Sequence, residues 1–187
     1  MRNHPGRAVA VLAVLLTALA LAACNKSSNS DNKPAGHNLA DVVFATHMIP
    51  HHQQGVDLAL MVPGHSTNAD LAKLASGIAS TQQAEIKDLT GLVTQWSAQA
   101  DSDTHGPTDT AMTGMVTQNA MTKLESLNGA DFDKLWLQSM ISHHQGAIDM
   151  AKTEISKGNN PEAIAMAKKM VSAQQGEIDQ MTKMLGG

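Results

Sequence analysis

The stretch Met48-Ile49-Pro50-His51-His52-Gln53-Gln54-Gly55-Val56-Asp57-Leu58-Ala59 returns as Met140-Ile141-Ser142-His143-His144-Gln145-Gly146-Ala147-Ile148-Asp149-Met150-Ala151, 92 positions later. Gln82-Gln83-Ala84-Glu85-Ile86 and Gln174-Gln175-Gly176-Glu177-Ile178 keep the same offset, as do Asn68 with Asn160 and Asp41 with Asp133. A sequence that repeats itself at a fixed spacing builds one structural unit twice. Whatever the first copy folds into, the second must fold into as well, and the histidine pairs are what the copies share most visibly.

Each copy reads as two helices. In the first, Phe44, Met48, His51, Gly55, Leu58 and Val62 follow one another at steps of 3 and 4, a helical stripe. The first helix is expected from about Asn38 or Leu39 to about Met61, kinked at Pro50 and ended by Pro63-Gly64. Asn68 is a good N-cap for the second, whose stripe Leu71, Leu74, Ile78, Gln82, Glu85, Leu89, Leu92, Trp96 is apolar but for Gln82 and Glu85. The second copy repeats this with a helix from about Asp131 to Lys157, carrying Trp136, Met140, His143, Ala147 and Met150. Gly158-Asn159-Asn160-Pro161 then stops that helix and starts the last, where Gln174 and Glu177 interrupt a methionine-rich stripe. Residues 97–110 form a connection rich in Ser, Asp, Thr and Gly, and a short helix is expected from about Met112 to Leu127. Nothing alternates with period two, and aromatic residues are only 2% of the chain, which argues against a strand-rich fold. The expected fold is all-α: a four-helix bundle of two duplicated hairpins with a short connecting helix.

The beginning of the chain reads differently. Arg2 and Arg7 precede an apolar run from Ala8 to Leu21 that ends in Ala22-Ala23 before Cys24. This is the pattern of a secretory signal, too short for a comfortable membrane span. Leu21-Ala22-Ala23-Cys24 resembles the bacterial lipobox, which predicts cleavage after residue 23 and a lipid on Cys24. The expected organisation is a signal peptide over 1–23 and a lipidated cysteine with a flexible tether over 24–38. A helical domain over 39–187 follows, with repeat one at 39–96, a connection at 97–130 and repeat two at 131–187. The expected location is outside the cytoplasm, anchored to the cell membrane. Cys24 is the sole cysteine, so no internal disulfide or Cys-x-x-Cys site can form. Losing Arg2 and Arg7 leaves 11 basic against 17 acidic residues, a formal charge of −6, which speaks against a nucleic-acid partner.

Residues three and four apart share a helix face. Met48 is therefore a neighbour of His51 and His52, and Met140 of His143 and His144. Gln82 with Glu85 and Gln174 with Glu177 stand one turn apart on the partner helices. Imidazole with thioether favours copper, Cu(I) above all, while imidazole with carboxylate suits zinc, iron or Cu(II). The candidate metal set is His51, His52, His143, His144, Met48, Met140, Glu85 and Glu177. Adjacent residues differ by about 100° around a helix axis, so one ring of each histidine pair is expected inward, His51 and His143 by the stripe. The competing reading is a structural polar layer in which His51 and His143 hydrogen-bond Glu85, Glu177 or the glutamines. His47 lacks a counterpart, since Ser139 stands at its place, and His37, His65 and His105 fall in connections and are expected in solvent. The remaining methionines read as core.

His51-His52-Gln53 with Asp57 and Ala59, Gln82-x-x-Glu85-Ile86, their second-copy equivalents and Trp136-Leu137-x-x-Met140-Ile141 resemble the bacterial family called domain of unknown function 305. The resemblance implies a ferritin-like fold and frequent export, with copper binding or copper tolerance in some members. It points to His51, His52, His143 and His144, with Met48 and Met140 beside them. Met-x-x-His-His in place of Glu-x-x-His argues against di-iron oxygen chemistry. The expectation is an extracytoplasmic lipoprotein that binds a transition metal, copper, for sequestration or handling without turnover. The alternatives are a metal-dependent oxidoreductase on the same histidines and a metal-free helical interaction module.

Overall fold

The computed structural model describes residues 36–98 and 112–186. The leader, Cys24, most of the tether and His105 lie outside them. Five helices follow in order: α1 (Leu39–His65), α2 (Ala69–Ser97), α3 (Gln118–Glu125), α4 (Gly129–Lys157) and α5 (Pro161–Gly186). Among the described residues no helix is long and apolar enough to cross a membrane. The starts of α1, α2 and α5 are those the sequence marks. Asn38 accepts from the N–H groups of Ala40 and Asp41 while Asp41 accepts from Asn38 N–H, a reciprocal capping box. Asn68 caps α2 and Asn160 caps α5 in the same way, each through its Oδ1 and two backbone N–H groups.

Two expectations need correction here. α1 continues past Met61, through Pro63, to His65 and is capped only at Ser66. A proline in the last turn removes one N–H without preventing the final residues from staying helical. The short helix is shorter than expected, because residues 112–117 form a non-helical strap and α3 begins only after Thr117, its N-cap. Gly114 sits at φ 84, where a side chain would be strained, and its Cα packs against Gly146.

Packing joins α1 to α2 and α4 to α5 as hairpins, and the hairpins meet along α1 and α4, while α2 and α5 barely touch. α1 and α4 run antiparallel, since Trp136 Nε1 donates to Leu58 O at one end and Asp41 reaches the α4–α5 turn at the other. Two apolar clusters fill the bundle. One holds Leu58, Val62, Leu71, Ile78, Phe132, Trp136 and Met140; the other holds Phe44, Met48, Leu89, Trp96, Ala147 and Met170. Burying each such large side chain contributes about 1.5–3 kcal/mol. The histidine pairs lie between the clusters, so the polar groups sit in the middle of the bundle. His37 and His65, expected in solvent, instead stack on Trp96 and Phe132, with ring centroids 5.0 and 4.9 Å apart.

Candidate metal centre

All four predicted histidines are fully buried. One inward ring per pair was the expectation; both rings of each pair are inside. The reason is the position of the helix that carries them. α1 has α4 on one side and α2 on another, so rings 100° apart both meet protein. α4 is placed in the same way between α1 and α5. His51 and His143 turn toward each other across the α1–α4 interface, with ring centroids 3.9 Å apart and planes tilted by 31°. His52 and His144 turn toward α2 and α5. Their Nε2 atoms lie 2.8 Å from Glu85 Oε2 and 2.8 Å from Glu177 Oε2. The glutamates therefore pair with His52 and His144, and not with His51 and His143 as the structural alternative had it.

The hydrogen bonds fix the tautomers. A carboxylate or a carbonyl oxygen can only accept, so each nitrogen facing one carries the proton. His51 Nε2 donates to Thr113 O at 3.1 Å, and His143 Nε2 donates to His51 O at 2.9 Å. His52 and His144 donate to their glutamates. All four rings therefore carry a proton at Nε2, and the neutral His51 and His143 keep a lone pair at Nδ1. The four Nδ1 atoms are buried with no hydrogen-bond partner, and so are both amide atoms of Gln82 and of Gln174. Orphaned polar atoms in such number at one level of a core are unusual, since buried polar groups are normally paired.

The charges agree with this picture. Burial, the neighbouring His52 and, more weakly, His144 push the His51 pKa down to about 4, against a smaller upward pull from Thr113 O. Burial, then His51 and His144, push His143 down to about 2, opposed by the bond to His51 O. These two rings are neutral at any physiological pH, the state in which imidazole binds a metal. Glu85 and Glu177 are 18% and 23% exposed, so each carries its carboxylate from a buried histidine to the surface grooves between α2 and α5. A histidine held by a carboxylate on one nitrogen and open on the other is the usual arrangement around a metal.

Met48 and Met140 are fully buried, one turn before the histidine pairs and on opposite sides of the layer, each in a different apolar cluster. Among the described residues no three or more His, Cys, Asp or Glu side chains are grouped to hold a metal ion. As the side chains stand, a metal-holding set in the layer must draw on donors besides imidazole and carboxylate, and the Met48 and Met140 thioethers and the Gln82 and Gln174 amides are the candidates. The residues present fit a soft ion of low coordination number better than a carboxylate-rich centre.

Sequence reasoning missed the strap. Besides Thr113 O on His51, Val116 N donates to Gln54 Oε1 at 2.7 Å and Gln54 Nε2 donates to Val116 O at 2.9 Å. Gly146, the counterpart of Gln54, lets the strap approach: a Cβ there would collide with the Thr113 carbonyl. The differing residues at this equivalent position were the available signal. Gly55 plays a similar role inside, where a Cβ would meet Gln82 Oε1 and His143 Cε1.

No curated protein matches the chain. Solved structures do. A DUF305 protein of Streptomyces coelicolor, provisionally described as secreted, is 29% identical with a TM-score of 0.70, covering 79% of this chain and 92% of that one. A DUF305 fragment from Deinococcus radiodurans is 29% identical with a TM-score of 0.69, covering 82% and 98%. CopM in its Cu(II)-bound form is 28% identical with a TM-score of 0.65, covering 78% and 95%; CopM has also been solved with Cu(I) and with silver. The model of the domain of unknown function 305 matches residues 41–185, nearly all of the helical bundle, and the chain belongs to the DUF305 family.

Proposed function

We propose that the histidine layer binds copper, as Cu(I), and that the chain is an extracytoplasmic lipoprotein, anchored through Cys24, that sequesters or hands on the metal without turnover. The observation that supports this most is the set of four buried histidines whose Nδ1 atoms have no hydrogen-bond partner. Binding would use Nδ1 atoms among His51, His52, His143 and His144 together with the Met48 and Met140 sulfurs. Glu85 and Glu177 would act behind His52 and His144, holding the tautomer and offsetting the cation's charge from the bundle surface. Bound there, copper would supply coordination bonds to donors that otherwise have none. The copper- and silver-bound forms of CopM, a relative of the same fold, support the choice of metal.

The test is titration with Cu(I) against a competing chelator, run beside thermal melts, on the wild type and on His51→Ala with His143→Ala. The double variant should lose copper binding and keep its helices, because the apolar clusters on both sides remain. Unchanged affinity in the variant, or none above background in the wild type, would remove the copper site. The anchor has its own check: Cys24→Ser should release or misprocess the protein.

A further inference from the structure

The two ends of the α1–α4 interface occupy equivalent positions in the duplicated fold, yet only one end is filled with apolar side chains. At the far end Leu58, Val62, Phe132 and Trp136 are fully or almost fully buried and pack in one apolar cluster. At the near end the residues 92 positions away leave a cavity of about 120 Å³, lined by His47 and Phe44 of α1 and by Met150 and Glu154 of α4. Four substitutions relate the two ends: His47 for Ser139, Met150 for Leu58, Glu154 for Val62 and Phe44 for Trp136. Smaller aromatic bulk opens the space, and an imidazole, a thioether and a carboxyl replace a hydroxyl and two hydrocarbon side chains around it.

Of these groups, Glu154 is already committed. It is 1% exposed, no N–H reaches either carboxyl oxygen, and burial together with the neighbouring Asp41 raises its pKa to about 8. A neutral carboxyl in the wall adds polarity without a negative charge that would favour a hard ion. His47 and Met150 are both half-buried, and among the described residues no group hydrogen-bonds the His47 ring. An imidazole and a thioether facing one small cavity are a donor pair suited to a soft monovalent ion, which is content with few ligands.

We propose that His47 and Met150 form a second soft-metal site, separate from the histidine layer, that takes one monovalent ion such as Ag(I) or Cu(I) in the cavity between α1 and α4. The site exists in one copy of the duplication only, so it adds one equivalent per chain. It does not depend on the histidine layer binding metal.

The experiment is stoichiometric titration of the full chain with Ag(I), a redox-inert probe. The variants are His47→Ser and Met150→Leu, each installing the residue that the other copy tolerates at the same place. Each should bind one equivalent fewer than the wild type, whereas His51→Ala with His143→Ala should keep the equivalent assigned to His47 and Met150. In the wild type the 13C-labelled Met150 methyl should shift on silver addition, a readout that needs no variant to fold. Equal stoichiometry in wild type, His47→Ser and Met150→Leu, or a Met150 methyl that silver does not move, would overturn the proposal. Loss of all silver binding in the His51→Ala, His143→Ala variant would overturn it too, while leaving the layer site standing.

Discussion

The first copy and the second copy meet the same chemistry with different neighbours. His52–Glu85 and His144–Glu177 are the same pair twice, with the same spacing in sequence and the same 2.8 Å contact. His51 and His143 are not. His143 donates to the backbone of its twin, while His51 donates to a strap that belongs to neither hairpin. The strap crosses the pseudo-twofold interface once and so cannot treat both copies alike: Gln54 holds it by two hydrogen bonds, and Gly146 admits its backbone. What the copies share is the pairing of imidazole with carboxylate. Where they differ, one feature of the fold exists only once and each copy has adapted to a separate side of it.

Breaking that adaptation should have the largest effect. Gly146→Ala would drive a methyl into Thr113 O and Gly114 Cα, and both obstacles are backbone that cannot rotate aside. Overpacking of this kind costs about 1–3 kcal/mol and sometimes more, and the upper end is expected here. The strap should lift, His51 Nε2 should lose its acceptor, and the loss should appear in denaturant melts and in the 15N shifts of the His51 ring. Gln54→Ala removes two hydrogen bonds without a clash, so it should cost less. An equal or larger loss for Gln54→Ala would mean that the close approach at Gly146 is not what seats the strap.

The shared part can be sharpened by treating both copies identically. Glu85→Gln and Glu177→Gln keep the shape but remove the charge that holds the Nε2 proton. Outer partners of metal-bound histidines are worth about 10–100-fold in affinity. Each variant should weaken copper binding by a factor in that range, and by similar factors in the two copies, read by chelator competition. A large effect in one copy and none in the other would mean that the two histidine–glutamate pairs do not serve one layer.

Much of this was legible in the residues. The 3–4 stripes gave the helices, the asparagine caps marked where two of them start, and Gln82, Glu85, Gln174 and Glu177 stood out as polar groups in apolar stripes. The fate of the second ring in each pair was not legible. Whether His52 faces solvent or protein depends on how many helices flank α1, and a stripe records one face only. The strap was hidden for a related reason. Thr113 contributes a backbone carbonyl, which carries no side-chain signature, and Met112 and Met115 suggested a helical stripe that Gly114 at φ 84 interrupts. His47 looked unpaired because its counterpart is Ser139, and that asymmetry is what marks the cavity end.

The smallest effect concerns the other asymmetric carboxyl. Asp41 has an equivalent in Asp133, but Glu154 stands where copy one has Val62. Burial would raise the Asp41 pKa. The N–H donors of Asn160 and Asn38, the Glu154 hydroxyl and Asn159 N–H outweigh that and hold it below its usual value. Burial, the hydrogen bond to Asp41 and the charge of Asp41 together raise Glu154 to about 8. The sign of the pH effect follows. Between pH 4.5 and about 8 the unfolded chain has lost the Glu154 proton and the folded chain has kept it. The folded state therefore binds more protons there, and its stability falls as pH rises through that window. His51 and His143 act oppositely. Folded, they stay neutral down to about pH 4 and about 2, so stability falls as pH drops below 6.5. Glu154→Gln keeps a donor to Asp41 and cannot ionise. Its melting temperature should exceed that of the wild type by a few degrees at pH 8 and match it near pH 4.5, with the acid-side loss unchanged. The same gap at both pH values would show that Glu154 does not hold its proton in the folded chain.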